Sequence, residues 1–171
     1  MKKLPLEPNL TSHQKIHITI FIFFGLAIIT GLLGTNLDLI KLLYLTIALL
    51  TTSFFLIVFF SKNGLVYDGE NLCTGVFIGQ FLILKNRISL SDKSACSILK
   101  FRKSQKYSFF SAARPDLANE FNSFDIYLLN DRHTKKLRIL SLKKESNSKI
   151  AIEFLVSNTD LKHEIYSPNF E

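Results

Sequence analysis

The chain predicts an N-terminal transmembrane α-helical hairpin followed by a mainly-β domain that closes with one helix. Three observations carry this reading. First, Ile16 to Leu37 and Leu42 to Ser61 hold no Asp, Glu, Lys or Arg. At about 1.5 Å of rise per residue, 20 such residues span a hydrocarbon core of roughly 30 Å. Second, beyond Lys62 the continuous apolarity breaks into short alternating runs separated by turn signals. Third, a helical spacing returns near the C-terminus, where Ile150, Phe154 and Leu155 recur behind a Ser-Asn-Ser stretch.

The division that follows is a cytoplasmic lead over 1–15, a two-helix hairpin over 16–61 with spans near 16–35 and 38–60, and a cytosolic β-rich domain over 62–171. The first run is too long for the apolar core of a signal peptide, and no small-residue cleavage site follows it. Lys2, Lys3 and Lys15 precede the first span and Lys62 follows the second, whereas the connection holds Lys41 offset by Asp38. That bias puts both termini on the cytoplasmic side.

Within the hairpin, Gly34 is expected to end the first helix in a left-handed conformation. Thr35 or Asn36 would cap the second helix, with Asp38 in its first turn. Small residues four apart (Ala27 and Gly31, Thr30 and Gly34, Ala48 and Thr52) offer faces on which helices approach closely in lipid. They serve the packing of the hairpin on itself or, on the sharper reading, a homodimer or a membrane-protein partner. Between Ile16 and Leu37 and between Leu42 and Ser61 there is no Asp, Glu, Lys or Arg, the residues that mark ion and proton routes, and His17 reads as interfacial. The hairpin reads as an anchor.

In the domain, Asp68-Gly69 marks a hairpin turn after Leu65-Val66-Tyr67. Leu72 to Leu84 is strand-like, and Gly75 and Gly79 suggest bulges or bends. Alternation at Ile98 to Lys103 puts Leu99 and Phe101 on one face, with Lys100 and Arg102 on the other. Tyr107 to Phe110 reads as a further strand, and Pro115 to Phe121 as one or two helical turns. Phe124, Ile126 and Leu128 share a face, as do Leu137 and Ile139, and Asn130 to Thr134 joins these two runs as a loop. A helix over 147–158, capped by Ser146 or Asn147, lays its stripe on the sheet. In the tail, Leu161, Ile165 and Tyr166 are the residues suited to pack back.

Six or seven short antiparallel strands followed by one amphipathic helix resemble a pleckstrin-homology-like split barrel over residues 65 to 158. The stretches GENLCTGVFIGQFLILKNRISL and FNSFDIYLLNDRHTKKL resemble small bacterial membrane proteins with two spans and such a C-terminal domain. The resemblance implies an architecture and a bacterial inner-membrane location, and it carries no activity with it.

A search for chemistry finds no Gly-rich phosphate loop, H-E-x-x-H, C-x-x-C or G-x-S-x-G. No catalytic residue, metal site or cofactor is expected. Asp131 and His133 read as a polar hairpin tip, and Cys73 and Cys96 as reduced, buried or half-buried thiols. The net charge is +7, of which +5 falls within 62–171. The candidate contact surface is therefore basic: Lys100, Arg102, Lys103 and Lys106 form one group, Lys135, Lys136 and Arg138 a second, with Lys143-Lys144 a third. Such side chains suit anionic headgroups beside a bilayer or a protein partner; a nucleic-acid partner is disfavoured, since no dense basic run or stacking platform is present. The expected function is a membrane-anchored, non-catalytic binding or scaffold module at the inner face of the membrane. The alternatives are a subunit of a larger membrane complex, or an enzyme accessory domain with dispersed active residues.

Overall fold

The computed structural model describes residues 1–36, 38–105 and 119–169, and for 103–105 and 119–121 the backbone alone. In chain order its elements are β1 (Lys2–Pro8), α1 (Ser12–Leu33), α2 (Leu39–Phe60), β2 (Ser61–Tyr67), β3 (Leu72–Ile78), β4 (Phe81–Ile88), β5 (Ala95–Gln105), β6 (Asn119–Leu129), β7 (Lys136–Leu142), α3 (Glu145–Asn158) and β8 (Lys162–His163). Two sheets result, ordered β1-β2-β3-β4 and β7-β6-β5-β8.

The first departure from expectation is at the N-terminus. The polar lead is not a tail: Lys2–Pro8 forms a strand antiparallel to β2, with Lys2 opposite Tyr67 and Pro8 opposite Lys62. Pro5 and Pro8 are tolerated because β1 is an edge strand, and the register shifts between Pro5 and Glu7. The two helices are thus inserted between adjacent strands of one sheet. β2 begins at the residue after α2 ends, and the Asn9 N–H donates to the Ser61 carbonyl (3.1 Å). Ser61 Oγ donates to the Val58 carbonyl (2.8 Å) and accepts from Asn9 Nδ2 (3.0 Å), which fastens the two exits together.

α1 starts at Ser12, ahead of the expected residue 16, because Thr11 and Gln14 form a reciprocal capping box. It ends at Gly34, which keeps a right-handed conformation (φ −77°) instead of the expected left-handed one; its N–H reaches the carbonyls of Leu32 and Thr30. The cap of α2 is neither Thr35 nor Asn36. Asp38 itself takes the position, accepting from the Lys41 N–H at 2.8 Å. Both helices have 22 residues and, past His17 and Lys41, are apolar all round. α1 buries none of them and α2 only Leu45 and Thr52. They are long and apolar enough to cross a membrane.

In the β part, the Asp68-Gly69 turn stands where expected, with Gly69 at φ +93° and the Asp68 N–H bonded to the Asn71 carbonyl. Gly79 (φ +60°) opens the two-residue turn between β3 and β4. Gly64 and Gly75 face each other across β2 and β3, leaving room for the Phe77 ring, which is buried with Val66 and Cys73. The main core joins Leu65 and Leu72 of the first sheet to Cys96, Ile126, Leu128, Leu140 and Leu142 of the second. Ala151, Ile152 and Leu155 of α3 close it, and Leu161 of the tail completes it. Each buried aliphatic side chain contributes about 1.5–3 kcal/mol.

The alternation expected on β5 holds, and the pairing decides which face is inside, whereas the phase of α3 differs from expectation. On β5, Ile98 lies opposite Ile126 and Lys100 opposite Phe124, so these even-numbered residues line the core side. Leu99 and Phe101 fall on the reverse face, opposite Asp125 and Ser123. The strand tolerates this because Lys100 closes the end of the core with its ammonium over the Phe124 ring, 5.8 Å from the centroid. On α3 the buried face is Ser148, Ala151, Ile152 and Leu155, while Ile150 is exposed. The small residues let the helix lie close to the sheets. The expected strand at 107–110 lies outside the described residues, as do 115–118 of the expected helical turns; Asn119 to Phe121 already belong to β6.

Candidate functional site

The insertion of α1 and α2 gives the β-domain two distinct ends. At one end Pro8 and Ser61 meet the helices, and the β3–β4 turn stands beside them because Ile78 pairs with both Ser61 and Phe81. At the other end lie the β2–β3 and β6–β7 turns.

The helix-bearing end is fixed by a carboxylate that no sequence pattern marks. Glu7 is buried, although it sits in the lead. It accepts from the backbone N–H groups of Lys143 (2.7 Å) and Lys144 (2.9 Å) and from Asn147 Nδ2 (2.8 Å). Lys144 is the N-cap residue of α3 and makes no side-chain cap bond of its own. Glu7 therefore takes the N–H of the cap residue, one of the donors left open at the start of the helix, from 137 residues away, with its negative charge at the positive end of the helix dipole. Lys143 Nζ also reaches the carbonyl of Leu10, just ahead of α1, at 3.4 Å. The first strand, the helix exits and the start of α3 are thereby one connected unit.

This unit decides where the basic residues go. Lys100 lies at the level of Leu142 through Phe124, one residue from Lys143, and Arg102 continues beyond it. Lys100, Arg102, Lys143 and Lys144 are all exposed and belong to the helix-bearing end. Lys103 follows on β5, where only its backbone is described, and Lys106 lies outside the described residues. The second basic group is at the far end and partly engaged. Lys136 Nζ stands over the rings of Tyr127 (5.6 Å) and Tyr166 (5.2 Å). Arg138 Nη1 is 3.5 Å from Asp125 Oδ2, and Lys135 is exposed near the turn. The first and second basic groups are separated by the length of β7.

Asp125 is the second carboxylate that local pattern leaves unmarked. Only 1% exposed, it accepts from the hydroxyls of Ser123 and Ser141, the latter at 2.7 Å. Paired and hydrogen-bonded in this way, a buried charge is tolerated and ties β6 to β7. The alternation of Phe124, Ile126 and Leu128 correctly puts Ser123 and Asp125 on the opposite face, but gives no sign that this face is covered.

At the far end His133 stands in the expected β6–β7 turn and also clamps the tail. It is buried, with φ +55°, and its Nδ1 accepts from the Ser167 N–H at 3.1 Å. Nε2 therefore carries the proton in the neutral ring and donates to Glu164 at 2.9 Å. Tyr166 stacks on the ring, while Ile165 stays exposed. The tail is held further by β8, which pairs in parallel with β5. Beneath it Cys96 is fully buried, and burial together with the nearby Glu164 charge pushes its thiol up to about 11. Such a thiol stays protonated at neutral pH and acts as a core residue.

On the helices, the inward positions recur at alternating spacings of four and three: Ile22, Gly25, Ile29 and Leu32 on α1, and Leu45, Ala48, Thr52 and Phe55 on α2. Ala48 and Thr52 thus lie on the seam. A side chain at Gly25 would collide with Thr52 Oγ1, which makes Gly25 the close-approach residue of α1. Ala27, Thr30, Gly31 and Gly34 are exposed and away from the seam, and a Cβ at Gly31 would meet nothing within 4 Å. The helices leave an open apolar groove of about 470 Å³ beside Gly25 and Thr52.

Among the described residues no group of three or more His, Cys, Asp or Glu is placed to hold a metal ion. No family model, curated protein or solved structure matches the chain.

Proposed function

We propose that the protein is a membrane-anchored, non-catalytic binding or scaffold module, with α1 and α2 crossing a bacterial inner membrane and both termini cytoplasmic. The observation that carries this reading is that both apolar helices leave neighbouring strands at one place, α2 directly and α1 after Asn9, Leu10 and Thr11. With Glu7 locking the start of α3 to the same place, the domain is a rigid head with one end held against the bilayer surface. Lys100, Arg102, Lys143 and Lys144 at that end suit anionic headgroups, each well-placed cation adding about 1 kcal/mol. A pleckstrin-homology-like layout is supported by element order: a four-stranded meander, three further antiparallel strands and a closing helix.

A second reading, a subunit of a larger membrane complex, draws on Ala27, Thr30, Gly31 and Gly34. These small residues face away from the α1–α2 seam, where a second membrane protein or another copy can pack.

The test uses single cysteines at Asn36, between the helices, and at Glu70, in the β2–β3 turn; native Cys73 and Cys96 are buried. In intact bacterial cells a membrane-impermeant maleimide is expected to label Asn36→Cys, and to label Glu70→Cys only after the inner membrane is opened. Labelling of both positions from the same side overturns the proposal.

A further inference from the structure

Strand β4 is divided along its length. Its first half carries large apolar side chains that the fold leaves uncovered: Phe81 is 78% exposed, Ile83 51% and Leu84 65%. Its second half carries Lys85, Asn86 and Arg87, all exposed. An edge strand with an uncovered apolar row invites aggregation, and proteins ordinarily place charges there. Here the charges stand only on the half remote from the helices.

The register gives the division its meaning. Phe81 pairs with Ile78, Ile78 pairs with Ser61, and Ser61 is the C-cap of α2. The β3–β4 turn therefore stands level with the point where the chain leaves the helices. Ile83 is an extra residue opposite the Val76–Phe77 step. Such a bulge twists an edge strand and turns successive side chains outward.

We infer that the β3–β4 hairpin tip is a second membrane-contacting element, inserting Phe81, Ile83 and Leu84 into the headgroup–acyl boundary of the bilayer that α1 and α2 cross. The inference rests on the spanning reading of those helices. With about 3.3 Å per residue, Phe81 to Leu84 covers roughly 10 Å, the depth over which interfacial apolar groups bury. Lys85 follows next along the strand, its Nζ 3.5 Å from Asp68 Oδ2, and Arg87 lies farther from the helices, opposite Cys73, so the charged half stands clear of the acyl boundary. The domain is then held at three points (two helix exits and the hairpin tip), which fixes its tilt on the membrane.

The chain contains no Trp, so single tryptophans report without background. The full-length protein is reconstituted in phosphatidylcholine–phosphatidylglycerol vesicles as three variants: Phe81→Trp at the tip, Phe54→Trp within α2, and Glu70→Trp at the far end. Replacing part of the phosphatidylcholine by its brominated form is expected to quench Phe54→Trp strongly. Phe81→Trp should lose about half its emission and be blue-shifted, as suits a ring at the acyl boundary, while Glu70→Trp stays unquenched. If Phe54→Trp is quenched but Phe81→Trp is not, the tip does not enter the bilayer and the inference is overturned while the spans stand. It is equally overturned if Phe81→Trp is shielded from both brominated lipid and aqueous iodide, since protein then covers the patch. If Phe54→Trp itself is unquenched, the spanning reading fails and takes the inference with it.

Discussion

Substituting Val for Gly64 is expected to detach β1 from its sheet. A Cβ at this position would overlap the Leu4 carbonyl oxygen and lie 2.8 Å from the Phe77 ring and 2.9 Å from the Pro5 Cα. The first and last of these are backbone atoms, so no side-chain rotation relieves them. Overpacking alone costs about 1–3 kcal/mol, and losing β1 also exposes Leu4 and Leu6 and removes Glu7 from α3. The total expected is about 3 kcal/mol or more. Limited proteolysis of the full-length protein in detergent should then cleave early at Lys2 and Lys3. Gly31→Val is the control: its Cβ meets nothing within 4 Å, and the cleavage pattern should match the parent protein. A Gly64→Val protein whose lead remains as protected as that of Gly31→Val would show that β1 does not pack as described.

The second large effect is expected at Glu7. Glu7→Ala leaves the N–H groups of Lys143 and Lys144 and the Asn147 amide without their acceptor, near the first turn of a helix that has no other side-chain cap. Loss of a charged acceptor from buried donors costs about 2–3 kcal/mol, which lowers the melting temperature of a domain this size by roughly 10 °C. Glu7→Gln keeps the shape and one acceptor oxygen, and should fall between the two. Thermal unfolding followed by β-sheet circular dichroism separates the three proteins. Equal melting temperatures for Glu7→Ala and the parent would mean that the long-range cap contributes nothing.

The helices are legible in the sequence because a charge-free run of this length has few other uses. The turns at Asp68-Gly69 and Asn130–Thr134 are legible too, since residue chemistry there dictates backbone shape. β1 is hidden, because two prolines in a charged lead argue against a strand unless the strand lies at an edge. The capping role of Glu7 is invisible for a different reason: its partners stand at the other end of the chain, and no local pattern records them. On β5 the alternation is legible but the inner face is not. Ile98, Leu99 and Phe101 are all apolar, and only the pairing of Ile98 with Ile126 decides which face is inside. The basic candidates are legible as residues but not as a surface, since strand direction sends Lys100 and Arg102 to one end and Lys136 to the other. The apolar half of β4 reads simply as strand, because its significance depends on a register shared with Ser61.

In this architecture α1 and α2 are an insertion between neighbouring strands of a β-fold whose described core contains no residue of either helix. Replacing residues 10–60 with Asn-Gly puts that to the test, because it joins Asn9 to Ser61 through a two-residue hairpin turn suited to antiparallel strands. The expected product is a β-rich protein that unfolds in one cooperative transition, and that is clearly more stable than the fragment 62–171, which lacks β1 and Glu7. A turn-joined protein that is unfolded, or no more stable than that fragment, would contradict the insertion.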